Sequence, residues 1–266
     1  AGTITGTYGL TLGGSGIGSV SSIIGTSTGT LTKTGTGTWT LSRANSYTGN
    51  TIIQAGILTL GGANALPITA SAGAIQFAGG TPTFNLGSFN LGSSTVAANS
   101  AGQLDFDVNT TENLGSTGTN NYYFKASNGQ TWGATSITIY NWKGTAGATG
   151  QGPKIFIGSD ATGLVSTQLA KITFDGYPAG ATVLSNGEVV PKLSSPILAI
   201  SGTTNHGSAC VGIAAATIQY TITNTGAAAS GVSVVSDNSQ FVVSAAPTTV
   251  AGGGSATFNV IFTPYA

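Results

Sequence analysis

Between its 42 glycines the chain keeps returning to one short pattern, apolar side chains at every second position with Thr, Ser or Gly between them. A period of two sends alternate side chains to opposite faces of a strand, and the β-branched and aromatic residues that fill it suit a pleated, half-buried surface. Helix is opposed on several counts: Met is absent, Glu and Lys are scarce, and glycine interrupts the long windows. The pattern predicts an all-β chain of short strands.

Charge then narrows the setting. Only seven basic and seven acidic side chains are present, 5% of the chain, where an ordinary soluble domain carries about 25%. A spanning helix would need a run of roughly 18 apolar residues, and none is found at a mean hydropathy of +0.25; no membrane insertion is expected. Disorder would combine low hydrophobicity with high net charge, whereas 40% of these residues are hydrophobic and the formal net charge is zero. Seven scattered Lys and Arg cannot replace the counterions of nucleic acid, so no nucleic-acid partner is expected. With net charge near zero nothing electrostatic holds copies apart, so the first expected partner is the chain itself.

Along the chain, residues 1–14 read as one free strand. Ile4, Tyr8, Leu10 and Leu12 fall on one face at period two, and Thr3, Thr5, Thr7 and Thr11 on the other. Residues 15–30 are Gly/Ser-rich with short β-like pieces. From 31 to 67 three strands are predicted, around Trp39–Leu41, Thr51–Ile53 and Ile57–Leu60, each gap marked by glycine or Asn. Short strands with regular corners suit a coil whose inner face is apolar and whose corners need φ > 0. Leu31, Lys33, Gly35, Gly37, Thr38, Leu41, Ser42, Asn45, Tyr47, Gly49, Thr51, Gly56, Leu58 and Leu60 match the pattern of the autotransporter-associated (passenger-associated transport) repeat, which this stretch resembles. Arg43 stands where that pattern usually has Gly. The resemblance implies a β-solenoid (β-helix) secreted by, or displayed on the surface of, a bacterium. An Ala1 start fits a signal peptide removed after a small residue.

Weaker strands extend the solenoid through Ala74–Phe77, Thr83–Leu91, Leu104–Val108 and Tyr122–Lys125. Residues 137–191 resemble the segment that closes such solenoids in secreted bacterial surface proteins, with one helical turn near Leu164–Ala170. The solenoid is therefore placed at 15–191. After the linker KLSSP, strands are predicted at Ile197–Ile200, Ala216–Thr223, Gly231–Val235, Gln240–Ser244 and Ser255–Phe262. TIQYTITNTG and AGGGSATFNVIFTP resemble two strands of bacterial immunoglobulin-like modules of the ASPM-SPD-2-Hydin type. That resemblance implies an immunoglobulin-like β-sandwich over 192–266 lacking its last strand, because the F-T-P at 262–264 is not followed by the family's closing strand.

A spare strand and an incomplete sandwich suggest donor-strand assembly, in which an extended segment completes the sheet of another copy. Ile4, Tyr8, Leu10 and Leu12 would enter against Ile218, Tyr220, Phe258, Val260 and Phe262. Four buried apolar side chains are worth about 6–12 kcal/mol gross. Such head-to-tail contacts build filaments when they do not close. Two alternatives stand: the N-terminal strand caps its own solenoid, or the chain is a monomeric adhesin that binds a glycan, or ice, through the solenoid face. A glycan platform would draw on Trp39, Trp132, Trp142, Tyr122 and Tyr123; ice would require ranks of threonine on successive coils.

Chemistry is thinly supplied, and neither enzyme activity, nor a cofactor, nor a metal site is expected. Asp105 and Asp107 share a strand face, a pattern open to a paired-acid or weak Ca²⁺ site but equally to a solvent-facing strand with Leu104, Phe106 and Val108 inward. His206 is the only histidine and sits in a turn-like segment, read as a surface loop. Cys210 is the only cysteine and is read as a small buried hydrophobe.

Overall fold

The computed structural model describes every residue except 1, 116, 117, 178, 179, 194 and 266, and every side chain of the remainder but that of 97. The chain divides into two compact units, Ala1–Lys192 and Leu193–Ala266. The division falls one residue beyond the predicted 191/192 boundary.

The first unit is built from very short strands: β1 (Thr3–Thr5), β2 (Leu10–Leu12), β3 (Ile17–Val20), β4 (Ile23–Gly25), β5 (Leu31–Lys33), β6 (Thr38–Leu41), β7 (Thr51–Ile53), β8 (Ile57–Leu60), β9 (Ile75–Phe77), β10 (Thr83–Asn85), β11 (Leu104–Phe106), β12 (Thr110–Asn113), β13 (Asn121–Phe124), β14 (Ile137–Tyr140), β15 (Lys154–Ile157), β16 (Ile172–Phe174), β17 (Ala181–Val183) and β18 (Glu188–Pro191), with one helical turn, α1 (Ser166–Leu169). They stack as parallel ladders in the order β2-β5-β7-β9-β11 and β3-β6-β8-β10-β12-β14-β16, with further pairs β1-β4 and β13-β15. Every neighbour is therefore the next pass of the chain, the solenoid-like arrangement of a β-helix. The pass lengthens along the unit: Thr38 lies beside Ile57, while Ile137 lies beside Ile172.

Alternation decides which side chains enter. One inward file runs Trp39, Leu58, Phe84, Glu112, Ile139, Phe174 on successive rungs, and a second runs Val20, Leu41, Leu60. Phe77 stacks on Phe106 with centroids 4.5 Å apart, and Trp132 meets Phe106 edge-on at 4.8 Å. The corner after β5 needs glycine: Gly35 holds φ +67, and a Cβ there would lie 2.5 Å from the Gly14 carbonyl oxygen of the previous pass. At the far end the pattern changes. β18 is buried along its whole length and pairs antiparallel with both β15 and β17.

The second unit carries one antiparallel sheet, ordered β19-β20-β24-β22, from β19 (Leu198–Ser201), β20 (Ile218–Asn224), β22 (Phe241–Ser244) and β24 (Ser255–Phe262). A small ribbon pairs β21 (Ala229–Ser230) with β23 (Thr249–Val250). The strand predicted over 231–235 is not formed; its valines Val232 and Val234 pack partly against the small core of Ile222, Ala229, Val250, Phe258 and Val260.

Candidate assembly surfaces

Residues 1–14 do not form one free strand, which corrects the sequence reading. They break into β1 and β2 around the stretch 6–9, and each half pairs in parallel with the next pass, Thr3–Thr5 with Ile23–Gly25 and Leu10–Leu12 with Leu31–Lys33. The physical reason is local: the edges of β4 and β5 offer backbone partners and an apolar interior to whatever precedes them. Leu12 is buried, and Ile4 and Leu10 pack partly against the core. Tyr8 sits on the corner, 85% exposed, and so does not share a face with the other three. This is the capping alternative in structural form. The first pass nevertheless has a neighbour on one side only, as β1, β2 and β3 are all sheet edges.

The second unit presents the other half of the predicted contact. Registers Ile218↔Val260 and Tyr220↔Phe258 put four of the five predicted acceptor residues on one face, and Phe262 joins them through its register with Phe241 and that of Val260 with Val243. Tyr220 stacks on Phe258 at 5.3 Å, and Phe241 on Phe262 at 4.9 Å. Ile200 is in register with Ile222 and so belongs to this face, yet it is 61% exposed, and Leu198 two positions away is also exposed.

His206, predicted to be a surface-loop residue, packs onto this face instead. Its Nε2 lies 2.9 Å from the Tyr220 hydroxyl, and its ring is 5.1 Å from Phe241, edge to face. An apolar face leaves few other places for a nearby ring to go. Cys210, predicted to be buried, is exposed, because it lies in a connection that forms no strand. Neither placement had a periodic signal to announce it.

Buried polar groups in the first unit are structural rungs. Lys33 is fully buried, and its ammonium donates to the carbonyl oxygens of Thr34, Gly35 and Ala55 at 2.8, 2.8 and 2.9 Å; burial lowers its pKa. The Asn45 side chain accepts from the Ile24 N–H at 2.7 Å and donates to the Ala65 carbonyl at 2.6 Å, so it joins three passes. The Tyr47 hydroxyl meets Thr51 Oγ1 at 2.7 Å, and burial pushes its pKa up. Glu188 accepts from Thr149 Oγ1 at 2.5 Å and from the Gly150 N–H at 2.7 Å. Glu112 is the exception: it lies in the inward file with one long contact to Thr110 Oγ1, 3.4 Å, and burial raises its pKa well above the usual carboxylate range. Sequence reading missed it, although TTEN followed by Leu114 places Glu112 on the apolar phase of the alternation.

The other candidate sites resolve in the same terms. Asp107 accepts from Gln76 Nε2 at 2.9 Å, and Asp105 has its pKa raised by burial and by the Asp107 charge. Among the described residues no group of three or more His, Cys, Asp or Glu is placed to hold a metal. Trp132, Trp142 and Tyr122 are buried, Trp39 packs partly against the core, and Tyr123 stacks on Phe156 at 4.7 Å, so these rings form no shared external platform. Outward threonines do line up, as Thr83, Thr111, Thr138 and Thr173 on four adjacent strands. Ile57 interrupts that file, and the parallel file passes from Thr40 and Thr59 to Asn85, Asn113 and Tyr140.

Comparison with known proteins finds the passenger-associated-transport-repeat family at residues 31–60. That span holds β5 to β8 together with Lys33, Asn45 and Tyr47. The repeat points to the class of autotransporter-passenger-type proteins, on the surface of a bacterium or secreted from it. No curated protein and no solved structure matches the chain. Among the described residues no helix is long and apolar enough to cross a membrane.

Proposed function

We propose that the protein is a non-enzymatic structural subunit of the bacterial surface that assembles head to tail by strand exchange into an extracellular filament. The N-terminal segment leaves the first pass of its own solenoid and completes the immunoglobulin-like unit of the next copy. The observation that carries this reading is the apolar face of the β19-β20-β24-β22 sheet, on which Leu198 and Ile200 stand largely exposed.

The energetics favour exchange less through the donor than through the acceptor. Leu12 is already buried in the solenoid and Ile4 and Leu10 partly so, and moving them gains little. Tyr8, Leu198 and Ile200 are the groups that would newly leave water, each worth about 1.5–3 kcal/mol if fully covered. Detaching the first pass breaks contacts on one side, because β1, β2 and β3 are edge strands. A neutral chain adds no repulsion between copies.

Deleting residues 1–12 and measuring mass by light scattering, with negative-stain images, tests the proposal. The intact chain should form polymers and the deletion should remain monomeric. Filaments of unchanged form from the deletion would sink it.

A further inference from the structure

The connection between β19 and β20, residues 202–217, contains no strand. Structureless loops longer than about 12–15 residues inside a compact domain are usually functional or disordered. This one crosses the apolar sheet face yet shields it poorly. Its own Val211 and Ile213 are 66% and 62% exposed.

What fastens it is a short set of contacts. The Tyr220 hydroxyl donates to the Thr203 carbonyl at 2.6 Å, so toward His206 Nε2 it can only accept, and the imidazole must carry its proton on Nε2. That leaves Nδ1 as an acceptor, and it is buried with no partner among the described residues. The His206 ring stands between Tyr220 and Phe241, with centroids 6.0 and 5.1 Å away. Further along, the Gly212 N–H donates to the Pro264 carbonyl at 2.8 Å and the Ala215 N–H to the Phe262 carbonyl at 2.7 Å. The strap therefore places one polar ring, incompletely hydrogen-bonded, between the stacked pairs Tyr220–Phe258 and Phe241–Phe262, where an apolar side chain would satisfy more.

We infer that residues 202–217 are a displaceable strap, latched by His206, which occupies the acceptor face in the unassembled subunit and yields its seat to the incoming strand of another copy. The inference rests on the strand-exchange reading and adds its regulation: the latch sets how fast a subunit can be extended, so that subunits do not pair before they meet a growing end. An incoming Tyr8 or Leu10 replaces the imidazole on Tyr220 and Phe241, and His206 returns to water with both nitrogens solvated.

Cys210 supplies the test, as the single cysteine of the chain, exposed and within the strap. The full chain, held dilute enough that light scattering shows monomers and labelled there with an environment-sensitive dye, is titrated with a fluorescent peptide of residues 1–14. Binding is read from the peptide's anisotropy and strap movement from the dye. The expected result is that both signals change with one midpoint, and that His206→Ala speeds peptide association roughly tenfold, the order of one lost hydrogen bond. If the peptide binds while the Cys210 dye stays silent, the strap is not displaced and the inference is overturned, with strand exchange left standing. Should the peptide fail to bind at all, strand exchange falls and the strap's role with it. If His206→Ala does not fold, the dye signal on the wild-type chain decides alone.

Discussion

Replacing Glu112 with leucine should stabilise the first unit, and increasingly so as pH rises. The carboxyl lies in the inward file between Phe84 and Ile139, 5% exposed, beside a void of about 20 Å³ lined by Leu86, Leu104, Phe106 and Ile137 among others. Among the described residues its one hydrogen-bond neighbour, the Thr110 hydroxyl, already donates to the Pro82 carbonyl at 2.7 Å, so the carboxylate form finds no good donor among them. Burial raises the native pKa well above the usual carboxylate range, and the native chain keeps a proton that the unfolded chain gives up. Stability then falls as pH climbs from about 4.5 toward the raised native value, by about 1.4 kcal/mol per pH unit for one proton. Leucine removes that slope and adds about 1.5–3 kcal/mol of apolar burial. Denaturant midpoints for both proteins, taken around pH 5 and around pH 8, give the difference directly, since every other titrating group is common to the two. The gap should be wider at the higher pH. A gap that stays constant with pH, or a leucine variant weaker than wild type at the higher pH, would refute the reasoning.

Two further substitutions probe the rungs. Lys33→Met keeps the buried stem but leaves the carbonyls of Thr34, Gly35 and Ala55 without their donor; a loss of about 3 kcal/mol or more is expected, read as a drop in thermal midpoint, and an unchanged midpoint would remove the ammonium from the account. Glu188→Ala frees Thr149 and the Gly150 N–H, and the stretch 143–150 should become a new site of limited proteolysis while the parallel ladders stay resistant. Uniform resistance would show that the loop is held by other contacts.

Where residue pattern and backbone demand coincide, the sequence was legible. Thr51–Ile53, Ile57–Leu60 and Ser255–Phe262 form strands with the predicted bounds, because alternation and flanking glycine or Asn act on the same few residues. The N-terminal segment was misread for an instructive reason: alternation carries straight through Gly6, and period two is blind to a corner that turns one strand into two. Pairing was equally invisible, since β1 and β2 find partners some 20 residues on, in Ile23–Gly25 and Leu31–Lys33, with no local signal of that distance. In the second unit the apolar sheet face could be read from TIQYTIT and TFNVIF, but the placement of His206 could not. Its position depends on the hydroxyl and ring of Tyr220, fourteen residues away, and on the ring of Phe241 from a second strand.

The lengthening pass has a consequence for how such a molecule can vary. Strands on each rung keep three or four residues while the distance from Ile137 to Ile172 nearly doubles that from Thr38 to Ile57. All of the added chain lies in the connections, where closing a longer loop costs only about 0.6 kcal/mol per doubling. The ladder thus works as a fixed spine with expandable margins: a lineage can lengthen the exposed parts of the connections on the later passes while the side chains of the inward files keep their rungs.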